Sequence, residues 1–281
     1  MNFPYPMQVV ARIALEASGN REEVRSKFYD RLLGLNADWS GEIQPASVFR
    51  YAGTPAELMP MASYGVDGAH AGLVIHAPEL NLQDYLVGSY CEIDGMAVQF
   101  AGRDSRHFIE MRLSAMLQCW HTLDQDKGWR EKIKIEREKY SPYLEKIARE
   151  LHLKPRADMK IFGWGQGENE VDLRAPDVHA GWHYMPSDDN VGVLAPTVQF
   201  DPTYTKYDNE DGFRTARVLK NRGFPASALL VLKQFLWRNR LEKHASEILE
   251  EMLPLYETLG RPMHVEATKA TIAIMKQLET K

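Results

Sequence analysis

The chain has 281 residues, 44% of them hydrophobic and 26% charged, with a net charge of −5. That length suits one large or two ordinary domains, and the composition is that of a globular protein, which excludes disorder, a collagen-like repeat and a disulfide-stapled miniprotein. A mildly acidic chain without a basic block has no electrostatic footprint for phosphate backbones, so nucleic acid is not an expected partner.

The first elements are helical. Val9, Val10, Ile13 and Ala17 share a face, Gly19 breaks the pattern, and Asn20 followed by Glu23 has the spacing of a capping box. Val24, Phe28, Leu32 and Leu35 then make a second stripe. Arg12 and Glu16 interrupt the first apolar run and no basic segment precedes it, so it does not read as a signal peptide. No run of about 18 apolar residues predicts a membrane span. Cys91 and Cys119 stand far apart without a CxxC, which fits neither a disulfide framework nor a cysteine zinc site and suits a reducing cytoplasm.

After Gly34 short apolar runs alternate with glycine, proline and asparagine. Strands are expected at 47–51, 58–64, 73–76, 89–93 and 96–101, with Asp94-Gly95 as a two-residue hairpin turn between the last two. Asp104-Ser105 then offers an N-cap, and Phe108, Met111, Ala115 and Cys119 return to helical spacing. Residues 127–152 read as a charged connecting helix restarted at Ser141-Pro142. From 153 to 210 glycine, proline, aspartate and aromatics dominate, with strands expected at 159–162, 191–194 and 197–200.

The last 70 or so residues show the plainest pattern. Ala228 to Trp237 is apolar nearly all round, as in a buried helix. Leu241, Ala245, Ile248, Leu249, Met252, Tyr256 and Leu259 mark a helix face in which Pro254 should make a kink. Val265, Thr268, Ile272 and Met275 mark another, with Gly260-Arg261-Pro262 as stop and restart between them. The expected fold is therefore α+β: a small antiparallel sheet with flanking helices over residues 1–122, a connecting helix and irregular segment over 123–210, and helical hairpins over 211–281.

Candidate chemistry is sparse. His179 and His183, with Asp177, Asp172 or Glu168, have the residue types of a metal site, although Pro176, Gly181 and Pro186 oppose a helix there and no HExxH is present. Gly163, Gly165 and Gly167 lack the Gly-Lys-Ser/Thr of a phosphate loop and read as a turn. The YDNEDG at 207–212 lacks calcium-loop spacing and reads as a helix entry. No GxSxG occurs, and neither cysteine has a histidine neighbour in sequence. In SYGVDGAHAGLVIH, Asp67, His70 and His76 are candidate acid, base or ligand groups, but Gly65, Gly68 and Gly72 suit a tight turn that Asp67 caps.

The stretch from Thr54 to Leu80, the strand pair after it and AGRDSRHFIEMRL resemble bacterial members of the SUKH superfamily, the Smi/Knr-like proteins, through Gly65, Asp67, Gly68, His70 and Gly72 and then Arg103, Asp104, Phe108 and Glu110. The resemblance covers about residues 45–115. It implies an α+β protein-binding module without catalysis or cofactor; many bacterial relatives look like immunity proteins that neutralise a toxin. The partner face it suggests comprises Asp67, His70, Asp84 and Tyr85, and an acidic surface would steer a basic toxin. The closing helices resemble tetratricopeptide-type hairpins at Leu255, Tyr256, Leu259 and Gly260. Two other readings stay open: a metal-dependent hydrolase using His179 and His183, and a helical adaptor in which residues 211–281 bind. The expected setting is cytoplasmic, with no membrane association, and the oligomeric state is not specified.

Overall fold

The computed structural model describes residues 1–65, 68–91, 97–159, 180–204, 211–239 and 245–279. Two helices open it, α1 (Tyr5–Ser18) and α2 (Glu22–Leu33). The expected capping box does not form. Gly19 and Asn20 both take left-handed φ, +56° and +67°, so the chain reverses on them and Arg21, one position later, becomes the N-cap of α2.

The sheet is a five-stranded antiparallel meander in sequence order: β1 (Asn36–Ala37), β2 (Leu58–Ser63), β3 (His70–Val74), β4 (Leu86–Tyr90) and β5 (Gln99–Gly102). Pro60 has no N–H for the ladder, and the register slips beside it between Pro60 and Ala62, where the ladder tolerates an unpaired residue. Gly72 lies opposite Pro60, and a Cβ there would sit 2.6 Å from the Met59 carbonyl oxygen. Backbone cannot yield as a side-chain tip does, so Gly72→Ala should cost about 1–3 kcal/mol in chemical denaturation. Unchanged stability would mean that β2 and β3 spread freely.

The expected strand at 47–51 is absent; the segment forms turns. The cause is Arg50, whose buried guanidinium takes the carbonyls of Pro45, Thr54, Pro55 and Leu58, so the chain coils around its own arginine instead of pairing with a strand. Asp94-Gly95 lies outside the described residues, although β4 and β5 on either side of it are antiparallel neighbours.

Asp104 caps α3 (Ser105–Asp124) as its sequence position suggests, accepting from the His107 N–H at 2.6 Å. In α4 (Arg130–Glu150) the expected restart at Ser141-Pro142 does not occur: one helix runs through Pro142. Proline removes a single backbone bond, while Ile133, Tyr140, Leu144 and Ile147 bury a continuous stripe on both sides of it. Between 180 and 204 a two-stranded sheet, β6 (Trp182–Met185) and β7 (Val193–Pro196), pairs antiparallel. Its first strand was not expected. The strand expected at 197–200 is instead a 3-10 turn, Thr197–Gln199, entered from Pro196. The strand expected at 159–162 falls almost wholly outside the described residues.

Four helices follow: α5 (Gly212–Asn221), α6 (Pro225–Asn239), α7 (Ala245–Thr258) with Pro254 inside it, and α8 (Pro262–Glu279). Gly260 at φ +72° stops α7, and Pro262 starts α8. The protein is thus α+β with a helical C-terminal region. One apolar cluster runs from Met7 of α1 through Leu73 of β3 to Leu229 of α6 and Tyr256 of α7, so the sheet and the closing helices share a core. Among the described residues no helix is long and apolar enough to cross a membrane.

Candidate functional site

A lysine inside ALLVLKQFLW needs an anion, because an unpaired buried ammonium is far too costly to keep. Lys233 of α6 has 2% of its side chain exposed, and its Nζ lies 2.6 Å from Glu57 Oε2 and 3.0 Å from Asp189 Oδ2. Glu57, equally buried, accepts from the Tyr256 hydroxyl of α7 at 2.8 Å through its other oxygen. Asp189 is fixed in turn by the Val191 N–H at 3.0 Å and by the Ser187 hydroxyl, which itself accepts from the Gly192 N–H. The segment before β2 and the turn before β7 therefore meet at the α6 ammonium, and α7 joins them through Glu57.

The electrostatics follow from this geometry. Burial alone would raise the Glu57 pKa, but the charge of Lys233 and the hydrogen bonds from Lys233 and Tyr256 outweigh it and bring it to about 2. Burial works to lower the Lys233 pKa, and Asp189 and Glu57 overcome it, so the ammonium stays charged. Burial and the Glu57 charge keep the Tyr256 proton in place. One helix further on, Nε2 of His264 donates to the Ile75 carbonyl at 2.7 Å, and burial holds that imidazole neutral with a pKa of about 3. Arg261 donates to Glu79 at 2.8 and 3.1 Å and to the Leu194 carbonyl. Arg261 and His264, at the start of α8, thus hold the Glu79 carboxylate and the Leu194 and Ile75 carbonyls with their side chains.

The residues expected to form a partner face are placed differently. His70 is wholly buried. Its Nδ1 faces the Gly68 carbonyl at 2.9 Å and so carries the proton, which leaves Nε2 to accept from the Thr54 hydroxyl at 3.3 Å. The ring lies between Tyr51 and Tyr90, each 5.5 Å away between centroids. Burial pushes its pKa down to about 4. Tyr85 is 6% exposed, and Asp84 accepts from the Ser105 hydroxyl at 2.6 Å and from the Tyr85 N–H at 2.8 Å, tying β4 to the start of α3. The expectation of an open surface made by His70 and Tyr85 is therefore corrected: both belong to the packing. Asp67 lies outside the described residues. So do His179 and Asp177; His183 is exposed, its Nε2 3.1 Å from Met185 Sδ and its ring edge-on to Phe200. Among the described residues no group of three His, Cys, Asp or Glu side chains is placed to hold a metal.

Beside Lys233 a cleft of about 40 Å³ opens between residues 52–56 and helices α6 to α8. It has room for a water molecule or two and not for the roughly 300 Å³ or more that a small-molecule site occupies. With each charge partnered and no space for a reacting group, the Glu57, Lys233, Asp189 and Tyr256 cluster acts as a rigid tie. Such a tie was detectable in outline from the sequence, where a lone Lys233 in an apolar helix and a lone Glu57 beside the apolar LMPMA each call for a partner. Which residue answers which charge was not.

The chain matches no family model, and no curated protein matches it.

Proposed function

We propose that this protein is a non-catalytic, cytoplasmic protein-binding module of the immunity type, acting by occupying a bacterial toxin. The observation that carries the reading is the loop over 44–56. Its backbone is clamped internally by the Arg50 guanidinium, at 2.6 Å from the Pro45 carbonyl, 3.1 Å from those of Thr54 and Pro55 and 2.7 Å from that of Leu58. On this fixed frame Val48 stands 90% exposed. A loop ordered before it meets its partner loses little conformational freedom on binding, and an aliphatic side chain held on it can serve as an anchor. The resemblance carried by the glycine turn and the Arg103-Asp104 segment points the same way, and the net charge of −5 would speed encounter with a basic partner.

The test is recovery of the tagged protein from its own host at native expression level, with partner stoichiometry and metal content measured on one sample. Wild type should carry a stoichiometric protein partner, and Val48→Asp should weaken its binding at least about tenfold without changing the thermal midpoint. A preparation with no partner and near-stoichiometric transition metal would replace this reading by the hydrolase.

A further inference from the structure

The loop that presents Val48 is continuous with the buried charge cluster. Its last turn, Thr54-Pro55-Ala56, runs directly into Glu57, and the Leu58 N–H donates to the Pro55 carbonyl at 3.1 Å. Inside the loop the Tyr51 N–H donates to the Thr54 hydroxyl oxygen at 2.9 Å, the Thr54 N–H to the Tyr51 carbonyl at 3.1 Å and the Arg50 N–H to the Ser47 carbonyl at 2.9 Å. On the sheet side the Glu57 carbonyl accepts from the Ile75 N–H at 2.8 Å. On the helix side the Glu57 carboxylate is held by Lys233 of α6 and Tyr256 of α7.

Between this last turn and the helices the packing is incomplete. The cleft of about 40 Å³ separates Ala52, Pro55 and Ala56 from Trp237, Met252 and Met275. Where apolar side chains leave a gap, they lose dispersion contacts across it, while the polar grip of Lys233 and Tyr256 on Glu57 ties α6 and α7 directly to the end of the loop.

We propose that α6 and α7 hold the 44–56 loop in its presenting conformation through Glu57, with Lys233 and Tyr256 as positioning residues. The seating of the C-terminal helices then sets whether the loop is ordered for binding. The inference rests on the loop being the partner face, yet its test does not need a partner.

Hydrogen–deuterium exchange on the full chain reads it directly, through the protected amides of Arg50, Tyr51, Thr54 and Leu58. Tyr256→Phe removes one hydrogen bond to Glu57 and keeps the ion pair. It should raise exchange of these amides about tenfold, or about 1.4 kcal/mol of opening free energy, and leave those of β3 and β4 unchanged. Glu57→Gln, which also removes the charge paired with Lys233, should raise it further; if that variant fails to fold, Tyr256→Phe decides alone. No change at the loop, or an equal rise across loop and sheet, would overturn the coupling. Absence of any partner in the recovery experiment would remove the binding face and leave the coupling standing.

Discussion

Lys233→Met should destabilise the protein by about 3–5 kcal/mol, the usual cost of removing one member of a buried ion pair. The methionine fills nearly the same volume, so little of the loss comes from a cavity. It comes from Glu57 and Asp189, which keep their charges in a site where Glu57 has 2% of its side chain exposed and Asp189 10%. Denaturant titration reads the effect as a fall in midpoint at constant slope. The double variant Glu57→Leu with Lys233→Met should recover much of the loss, because removing both partners eliminates the uncompensated charge. Asp189 stays tied to Val191 and Ser187 in that background, so recovery is partial. A single variant within about 0.5 kcal/mol of wild type would behave like an ordinary surface substitution and show that water reaches the ammonium.

Stability should also fall steeply as the medium is acidified below pH 6.5, before most acidic side chains titrate. His70 and His264 are held neutral, with pKa values near 4 and 3 against an ordinary value of 6.5. Below pH 6.5 the unfolded chain takes up protons that the folded chain refuses. Their contribution is therefore complete above 6.5 and is lost as pH falls, down to about 4 for His70 and about 3 for His264. Glu57 has the same sign lower down: its contribution is complete above 4.5 and is lost toward about 2. Two imidazoles together give a slope approaching about 2.7 kcal/mol per pH unit near pH 5. Unfolding free energies at pH 7, 6, 5 and 4.5 measure it. His264→Gln, which has no proton to gain, should halve the slope there, whereas a flat profile from 6.5 to 4.5 would mean that both rings protonate in the fold.

These two experiments probe residues that the sequence pattern placed unevenly. His70 stood out because glycines surround it, and its setting is that of a turn: its ring pins Thr54 and Gly68 and lies between two tyrosines. Asp104 was readable as a cap because a cap acts over three residues. Asn20 looked like one by the same rule and is not, since two left-handed residues moved the helix start to the next position. Pro142 looked like a restart and is carried inside α4, where burial on both sides outweighs one missing backbone bond. The first strand of the small sheet escaped notice because its residues, Trp182, His183, Tyr184 and Met185, are only partly covered or exposed and show no clean alternation.

By itself the sequence determined what short-range physics governs: the helical stripes, the meander of short strands, the stop and restart at Gly260 and Pro262, and hence an α+β protein closed by helices. Only the tertiary structure decided what the buried charges do. Glu57 and Lys233 are 176 positions apart, and no local periodicity or spacing rule links residues at that distance. Each had to be neutralised once the apolar core enclosed it, and the partner was whichever opposite charge the packing of helices on the sheet brought within reach.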